Sequence, residues 1–177
     1  MGMSQVKRVL KKDPAFLKFK EVAEYCKTVA EFDNLVKEME NMHQARKSRA
    51  LYLGKPKLKT LMDASLQGTA FRSRCVEIMI NVMKAQRTME AAIDRIEAHI
   101  MASYKDELGV KSQADRKTVI KALLQKEYYR LADYNRIIEM AQALIHDLDQ
   151  WMWTAKHTLD ALNILYTRES ILGQKKL

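Results

Sequence analysis

The feature that most constrains the fold is an apolar repeat in the last third of the chain. Between residues 131 and 166, apolar side chains recur at alternating spacings of three and four residues for five heptads. This spacing predicts one long α-helix with a left-handed packing seam, because it keeps the apolar side chains on one side of the helix. The stripe consists of Leu131, Tyr134, Ile138, Ala141, Ile145, Leu148, Met152, Ala155, Leu159, Leu162 and Tyr166. Eight of these form the seam that we expect to pack in the core or between subunits: Leu131, Tyr134, Ile138, Ile145, Leu148, Met152, Leu159 and Leu162.

Further apolar residues widen this surface. Ile137, Leu144, Trp151 and Leu165 lie next to seam positions. Trp153 follows Trp151 by two residues and therefore points about 200° away from it on a helix, so we expect only Trp151 to pack in the core or in an interface. A stripe this wide needs more than one partner helix, from the same chain or from neighbouring subunits. The open apolar flanks favour a homo-oligomer.

An Asp-Pro pair predicts the start of an earlier helix. Asp13 is suited to cap this helix and Pro14 to occupy its first position, where the missing N–H has no cost. The apolar stripe that follows consists of Val22, Tyr25, Val29, Phe32, Val36 and Met39. Its spacing predicts a single helix that ends near Tyr52, with Gly54 and Pro56 as stop signals.

A second long helix is predicted between residues 57 and 107, with a possible bend at Gly68. Its seam consists of Cys75, Met79, Val82, Gln86, Met89, Ile93, Ile96 and Ile100. Gln86 interrupts this seam, and a polar residue there can fix the register of packing. The polar segment 105–118 contains Gly109 and predicts a loop, in which "SQAD" offers a cap for the next helix.

Together these patterns predict an all-α protein. We expect a long antiparallel coiled-coil-like helical hairpin at residues 57–177, which also carries the oligomer interface. A basic helical extension at residues 1–56 precedes it. Five Gly and two Pro among 177 residues are too few for a protein of strands and turns. No run of 18 apolar residues occurs, so we expect no membrane span.

The sequence holds no pattern typical of a catalytic or cofactor site. It lacks the glycine-rich motifs that bind phosphates of nucleotides. Glu40 and His43 have the spacing of half a di-metal motif, but the chain has no second such pair. Cys26 and Cys75 lie at apolar helical positions, as small core residues of a reduced protein do. We therefore predict a non-enzymatic protein with no catalytic residue, no metal and no cofactor.

The net charge of +9 is concentrated in the first third of the chain. Residues 1–60 carry 14 Lys and Arg against 7 Asp and Glu, whereas residues 61–177 carry 17 against 15. The stretch "ARKSRALYLGKPKLK" at residues 45–59 contains no acid. Its six cations are Arg46, Lys47, Arg49, Lys55, Lys57 and Lys59. Such a block is typical of a surface that binds a polyanion, and a solvated hinge between two helices has the same composition.

Four stretches occur in order between residue 57 and about residue 173. They are "LKTLMDASLQ", "INVMKAQRTMEAAIDRIEAHIMASYKDELG", "DRKTVIKA" and "LIHDLDQWMWTAKHTLDALNILYTRESILG". In this order of features the chain resembles the UvsY-type recombination mediators of tailed phages. The resemblance implies a ring-like homo-oligomer that binds single-stranded DNA and helps to load the recombinase in place of the single-strand-binding protein. It also implies the host cytoplasm as the location, with the virion as the alternative.

The chain departs from that family in two places. The family's DNA-contacting basic pair precedes a Tyr-containing turn, where this chain reads "EAHIMASY" with no cation between Arg95 and Lys105. The N-terminal extension of about 56 residues is the second departure. We therefore predict that the six cations of residues 46–59 have taken over the contact with DNA. Tyr52 and Tyr104 are candidates for stacking on bases.

The function predicted from the sequence is thus that of a phage recombination mediator. Its expected partners are single-stranded DNA, a recombinase and a single-strand-binding protein, and no membrane. Phosphate contacts from Lys and Arg carry no sequence information, which suits a protein that coats any strand. One alternative is a virion or assembly protein that forms a helical ring or spacer. Another is an adaptor whose N-terminal helix binds an acidic groove of a partner protein.

Overall fold

A computed structural model describes residues 3–48, 58–110 and 112–174. Within these ranges the chain is helical apart from short turns and contains no strand. The described residues form six helices: α1 (Met3–Leu10), α2 (Pro14–Val29), α3 (Phe32–Ser48), α4 (Leu58–Ser103), α5 (Gln113–Leu123) and α6 (Gln125–Gln174). The predicted all-α class is therefore confirmed.

Capping side chains fix two of the predicted helix starts. Asp13 precedes α2, and its Oδ1 accepts hydrogen bonds from the backbone N–H of Ala15 at 2.6 Å and of Phe16 at 3.0 Å. Ser112 precedes α5, and its hydroxyl accepts from the N–H of Ala114 at 3.2 Å. Each cap satisfies backbone donors that the first turn of a helix leaves without a partner. The start of α2 was correctly predicted, and Ser112 of "SQAD" is the cap of α5 as expected. The predicted loop 105–118 is too long, because α5 already begins at Gln113.

The single helix predicted from Pro14 to about Tyr52 is wrong, because the chain breaks between α2 and α3. Ala30 leaves the helical conformation, with φ −131° and ψ 64°. The carbonyl of the next residue, Glu31, already accepts a hydrogen bond from the N–H of Leu35 at 3.1 Å, so a new helix starts at once. The predicted end near Tyr52 lies outside the described residues.

The buried face of α2 also differs from the predicted stripe. Phe19, Ala23 and Cys26 are buried in α2. By contrast, Tyr25 and Val29 from the predicted stripe are exposed. The aromatic ring of Tyr25 lies on the opposite side because it follows Ala23 by only two residues.

The described residues group into two compact units. The first comprises those of residues 1–35 and 79–139, and the second those of residues 36–78 and 140–177. The long helices α4 and α6 each contribute a segment to both units. The predicted boundary between residues 56 and 57 lies outside the described residues, so the division into an extension and a hairpin stays a prediction.

The core of the first unit forms where α1, α2 and α5 meet segments of α4 and α6. α1 packs against α5. The α4 and α6 segments run antiparallel, since Gln86 Nε2 donates to Asn135 Oδ1 at 3.0 Å and the Tyr128 hydroxyl donates to Glu97 Oε1 at 2.6 Å. The buried residues include Val6, Leu10, Phe19, Cys26, Val82, Met89, Ile93, Ile100, Ile120, Leu124, Tyr134 and Ile137. Burying each large apolar side chain contributes about 1.5–3 kcal/mol to folding.

The second unit packs α3 with the other segments of α4 and α6. Its buried residues include Met39, Met42, Leu61, Cys75, Ile78, Leu144, Leu148 and Trp151. Gly68 lies inside α4, which continues through it as a helix. A Cβ added there would lie 2.6 Å from Met152 Cγ and 3.3 Å from the ring of Trp151. The absence of a side chain at Gly68 thus permits the close approach of α6.

The face that α6 buries is shifted relative to the predicted seam. Four residues of the predicted stripe are buried: Tyr134, Ala141, Leu148 and Ala155. Six are half-buried, namely Leu131, Ile138, Ile145, Met152, Leu159 and Leu162, and Tyr166 is exposed. The positions that complete the buried face are three of the residues that widen the stripe: Ile137, Leu144 and Trp151. A subunit interface along the half-buried positions stays a prediction.

Other positions in the helices agree with the sequence analysis. Trp151 is buried, whereas Trp153 is 64% exposed. Cys26 and Cys75 are both buried free thiols. Gln86 is only half-buried and Ala85 takes the core position beside it, so the polar residue lies at the edge of the α4 seam. In the described part of the chain, no helix combines the length and apolar character that crossing a membrane requires.

Candidate nucleic-acid interface

Of the six cations predicted to bind DNA, Arg46 is engaged inside the second unit. Its guanidinium forms an ion pair with Asp147 on α6, and its side chain is only 23% exposed. His43, one turn earlier on α3, places Nδ1 3.6 Å from the other carboxylate oxygen of Asp147. Burial lowers the pKa of His43, as do the nearby charges of Lys47 and Arg46. Arg46 is therefore the predicted cation whose charge is already balanced within the chain.

The remaining predicted cations differ in how they are placed. Lys47 is exposed near the end of α3, and Lys59 is exposed in the first turn of α4. Neither has an ion-pair or hydrogen-bond partner among the described residues. Three further predicted cations lie outside the described residues: Arg49, Lys55 and Lys57. The structure thus leaves Lys47 and Lys59 accessible to a polyanion and does not place the six side chains together.

Other arginines of the second unit are balanced by acids. Arg74 donates to both oxygens of Glu38, at 2.6 and 3.0 Å, and to Glu77 at 2.8 Å. These hydrogen bonds raise the pKa of Arg74 above its usual range. Arg72 donates to Asp149 at 2.6 Å. These pairs hold α3, α4 and α6 together and leave less free positive charge than the composition indicates.

A second basic stretch is fully accessible in the first unit. Lys7 and Arg8 lie on the outer side of α1, and Lys11 and Lys12 follow in the turn before α2. All four side chains are exposed, and none has an ion pair with a described acid. Val6 and Leu10 lie on the opposite side of α1 and are buried. The buried residues therefore hold α1 in place while its cations face solvent.

The sequence analysis missed this stretch as a candidate site. The signal was present, since no acid occurs before Asp13 and four cations stand between residues 7 and 12. Exposed lysines on the neighbouring helix α5, Lys117 and Lys121, add to the positive charge of this unit. The stretch is as dense in cations as residues 45–59, and we refer to Lys7, Arg8, Lys11 and Lys12 as the α1 basic cluster.

Of the two tyrosines predicted as candidates for base stacking, Tyr104 makes contacts within the protein. The hydroxyl of Tyr104 donates a hydrogen bond to Asp13 Oδ2, and its ring meets that of His99 edge-on with centroids 6.0 Å apart. Tyr52 lies outside the described residues. The exposed aromatic residues include Tyr25 at 65%, Tyr129 at 62% and Trp153 at 64%. Trp153 stacks near the ring of His157, with centroids 4.0 Å apart.

The structure also assembles a polar cluster that the sequence spacing did not suggest. Asp13 Oδ2 lies 2.8 Å from His99 Nε2, and the Ser103 hydroxyl lies 3.5 Å from His99 Nδ1. Although burial alone would raise the pKa of Asp13, hydrogen bonds from Tyr104, His99 and the α2 backbone hold it well below its usual range. The carboxylate is committed to capping α2. Ser103 is exposed at the end of α4, at the outer limit of hydrogen-bond distance from His99.

The described residues contain no group of three or more His, Cys, Asp or Glu side chains arranged to hold a metal ion. Comparison of the chain with protein-family models, with curated proteins and with solved structures finds no match.

Proposed function

We propose that this protein is a non-enzymatic recombination mediator that binds single-stranded DNA and assists the loading of a phage recombinase. The observation that carries the proposal is the α1 basic cluster, whose four side chains are exposed and have no acidic partner among the described residues. Lys47 and Lys59 are exposed cations of the second unit and belong to the basic stretch of residues 46–59. Arg49, Lys55 and Lys57 belong to that stretch by sequence, and we propose that it also binds DNA.

Electrostatics explain why such an interface suits a DNA-coating protein. Lysine and arginine neutralise phosphates without reading bases, so binding is independent of sequence. Each contact with a single strand lowers the slope of log K against log salt by about 0.7, so four contacts from the α1 basic cluster give a slope of about −3 per subunit. A homo-oligomer multiplies these contacts along one strand.

The proposed assembly is a ring-like homo-oligomer built on a long antiparallel coiled-coil-like hairpin of α4 and α6. Apolar residues near the end of α6 support an apolar contact with another subunit: Ile164, Leu165 and Tyr166 are each more than half exposed. Because consecutive residues point to different sides of a helix, α6 is apolar on several sides here, which is typical of a helix that other chains cover. In this proposal the protein acts in the host cytoplasm beside the recombinase and the single-strand-binding protein.

Fluorescence anisotropy with labelled single- and double-stranded oligonucleotides across a salt series tests the proposal. The first variant changes Lys7, Arg8, Lys11 and Lys12 to Gln. A second changes Arg46, Lys47, Arg49, Lys55, Lys57 and Lys59 to Gln. A matched control changes four exposed cations without ion pairs on α4 and α6 to Gln, namely Lys84, Lys126, Lys156 and Arg168.

We expect the full chain to prefer the single strand, with affinity that falls steeply as salt rises. The first variant should lose at least tenfold in affinity and have a flatter salt slope, whereas the control should lose much less. If all three variants lost the same affinity for the oligonucleotide, binding would depend on the net charge of the protein and not on a particular cluster. No binding by the full chain at low salt would refute the proposal.

A second candidate is a virion or assembly protein that forms a helical ring or spacer. The exposed apolar residues near the end of α6 favour this candidate, because they could bind another subunit whether or not DNA is present. Sedimentation velocity without DNA, combined with the strand preference from the anisotropy series, distinguishes the two candidates. A ring that forms without DNA and has no preference for single strands supports the structural role.

A further inference from the structure

A groove lies between α2 and α4 within the first unit, with a volume of about 600 Å³. This volume falls within the range of about 300–1,000 Å³ that ligand sites occupy. Its floor is aliphatic: Val22 on α2 and Ala91, Ala92 and Ile96 on α4 line it. Phe19 also contributes but is almost completely buried. The small side chains of Ala91 and Ala92 leave the space that a partner's side chains can enter.

The groove carries positive charge on both of its walls. Lys18 projects from α2, and Arg87 and Arg95 project from α4. All three are exposed, and none has an ion pair or hydrogen bond with a described residue. The lining residues include no Asp or Glu. These cations are therefore uncompensated, although the same unit contains exposed acids elsewhere on α2 and α4.

The residues of α4 that line the groove follow helical spacing. Arg87, Ala91, Arg95 and His99 succeed one another every four residues, and the groove extends over about 18 Å along the helix axis. That length corresponds to about three turns of a second helix. His99 lies at one end, where its Nε2 is held by Asp13 at 2.8 Å.

We infer that this groove binds an acidic amphipathic helix of a partner protein. Apolar residues of such a helix, at spacings of three and four, would enter the aliphatic floor. Carboxylates on either side of its apolar stripe would meet Lys18, Arg87 and Arg95. An apolar stripe in a groove provides affinity, and complementary charges on the rim provide orientation and selectivity.

The chemistry of the floor favours a helix over a nucleic-acid strand. Grooves that enclose a single strand combine cations that contact its phosphates with accessible aromatic faces on which its bases stack. The lining contains two aromatic rings. Phe19 is 4% exposed, and His99 is held by Asp13 and by the edge-on contact with Tyr104, so neither ring is free to stack on a base. Aliphatic side chains of a partner helix match Ala91, Ala92 and Ile96 better than a polar base does.

A charge-unbiased selection with the full chain tests this inference. The probe is a display library of 14-residue helices with four Leu on one face and Glu or Lys at random in the flanking positions. We expect selection at low salt to enrich Glu at the flanks. Enrichment of Lys, or the absence of any enrichment, would overturn the inference.

Variants then locate the binding of a fluorescein-labelled selected peptide. Ala91→Trp fills the groove from an exposed position, and the Arg87→Glu/Arg95→Glu pair reverses its charge. Each should weaken peptide binding at least tenfold, whereas the control Lys126→Glu on α6 should change it less than twofold. Circular dichroism confirms that the variants are folded. Unchanged peptide binding in both groove variants would refute the assignment.

The Ala91→Trp variant also tests two other possible occupants of the groove, a nucleic-acid strand and a second copy of this chain. If Ala91→Trp abolishes oligonucleotide binding and the peptide and oligonucleotide compete, the groove is a nucleic-acid site and the inference is wrong. If Ala91→Trp instead dissociates the homo-oligomer, the occupant is a second copy of this chain, which also overturns it. Retention of DNA binding and oligomeric state, with loss of the acidic peptide alone, supports the inference and leaves the proposed function intact.

Discussion

The Tyr104 hydroxyl donates a hydrogen bond to the buried carboxylate of Asp13, which also caps α2. The two residues are 91 positions apart in the sequence. One side chain thus connects the start of α2 with the turn after α4. His99 adds a third contact to this carboxylate at 2.8 Å. The fold of the first unit therefore depends on a residue that looks, from sequence, like an ordinary helix cap.

Replacing Asp13 with Ala should destabilise the protein by about 2–3 kcal/mol. Loss of an N-cap costs about 1 kcal/mol, and the contacts from Tyr104 and His99 are lost as well. Urea denaturation followed by circular dichroism measures the change. Glu21→Ala, an exposed acid on the same helix, is the matched control and should change the stability by less than about 0.5 kcal/mol. Similar losses in both variants would contradict the role given to Asp13.

The contribution of Asp13 should also depend on pH. Its pKa is held below the usual range in the folded protein, so the unfolded state binds a proton more readily. The stabilisation is present above the unfolded pKa of about 3.8 and is lost as pH falls through the folded pKa. The difference in unfolding free energy between the natural protein and Asp13→Asn should therefore shrink below about pH 4. A difference that stays constant down to about pH 2.5 would contradict this.

Two tyrosines of the first unit, the buried Tyr134 and the half-buried Tyr128, should respond in opposite ways to the loss of their hydroxyl groups. The Tyr134 hydroxyl is buried without a hydrogen-bond partner, and burial raises its pKa to about 12. Tyr128 instead donates to Glu97 at 2.6 Å. Tyr134→Phe should leave stability unchanged or raise it by up to about 1 kcal/mol, while Tyr128→Phe should lower it by about 1–2 kcal/mol. Thermal unfolding measures both changes, and the reverse order would show that Tyr134 has a partner.

The helix starts could be predicted because their signals are local. Asp13 and Ser112 each accept hydrogen bonds from N–H groups two or three residues ahead. The break at Ala30 has no such signal, since no glycine or proline stands there and the apolar spacing continues across it. The buried faces were predicted with unequal success. Six of the eight residues of the predicted α4 seam are buried: Cys75, Val82, Met89, Ile93, Ile96 and Ile100. α6 carries two adjacent apolar stripes, and the arrangement of partner helices decides which of them is buried.

The candidate DNA-binding residues were even harder to predict, because their availability depends on contacts between distant parts of the chain. The density of cations around residues 45–59 is visible in the sequence, but the engagement of Arg46 with Asp147, 101 residues away, is not. Conversely, the α1 basic cluster is plain in the sequence, and only its exposure with no acidic partner makes it a better candidate. A cluster of cations in the sequence therefore predicts a binding surface only if no acid from a distant part of the chain neutralises it.

Glu127 should be sensitive to the loss of its lysine partner. It is buried in the first turn of α6, and Lys20 lies 2.5 Å from its Oε1. The Lys20 side chain is 43% exposed, so solvent screens the pair, but its removal leaves the buried Glu127 carboxylate without its partner. Lys20→Met should therefore cost about 1–2 kcal/mol. The double variant Lys20→Met/Glu127→Gln should recover at least half of that loss, as a double-mutant cycle by urea denaturation will show. Simple additivity of the two changes would indicate that the pair is not coupled.

The two cysteines should report on the opening of each unit separately. Burial raises the pKa of Cys26, and it raises that of Cys75 to about 11, so neither thiol is ionised or accessible in the folded protein. Reaction with a thiol reagent at neutral pH should therefore be at least a hundredfold slower than in urea. Cys75→Ala leaves Cys26 as the reporter of the first unit, and Cys26→Ala leaves Cys75 as that of the second.

Adding Asp13→Ala to these single-cysteine variants distinguishes opening of the first unit from unfolding of the whole chain. Asp13 belongs to the same compact unit as Cys26. If local opening exposes each thiol, the added change should accelerate the reaction of Cys26 more than that of Cys75. Equal acceleration would mean that the thiols become accessible only by unfolding of the whole chain. Rapid reaction of either thiol in the otherwise unmodified protein would contradict its burial.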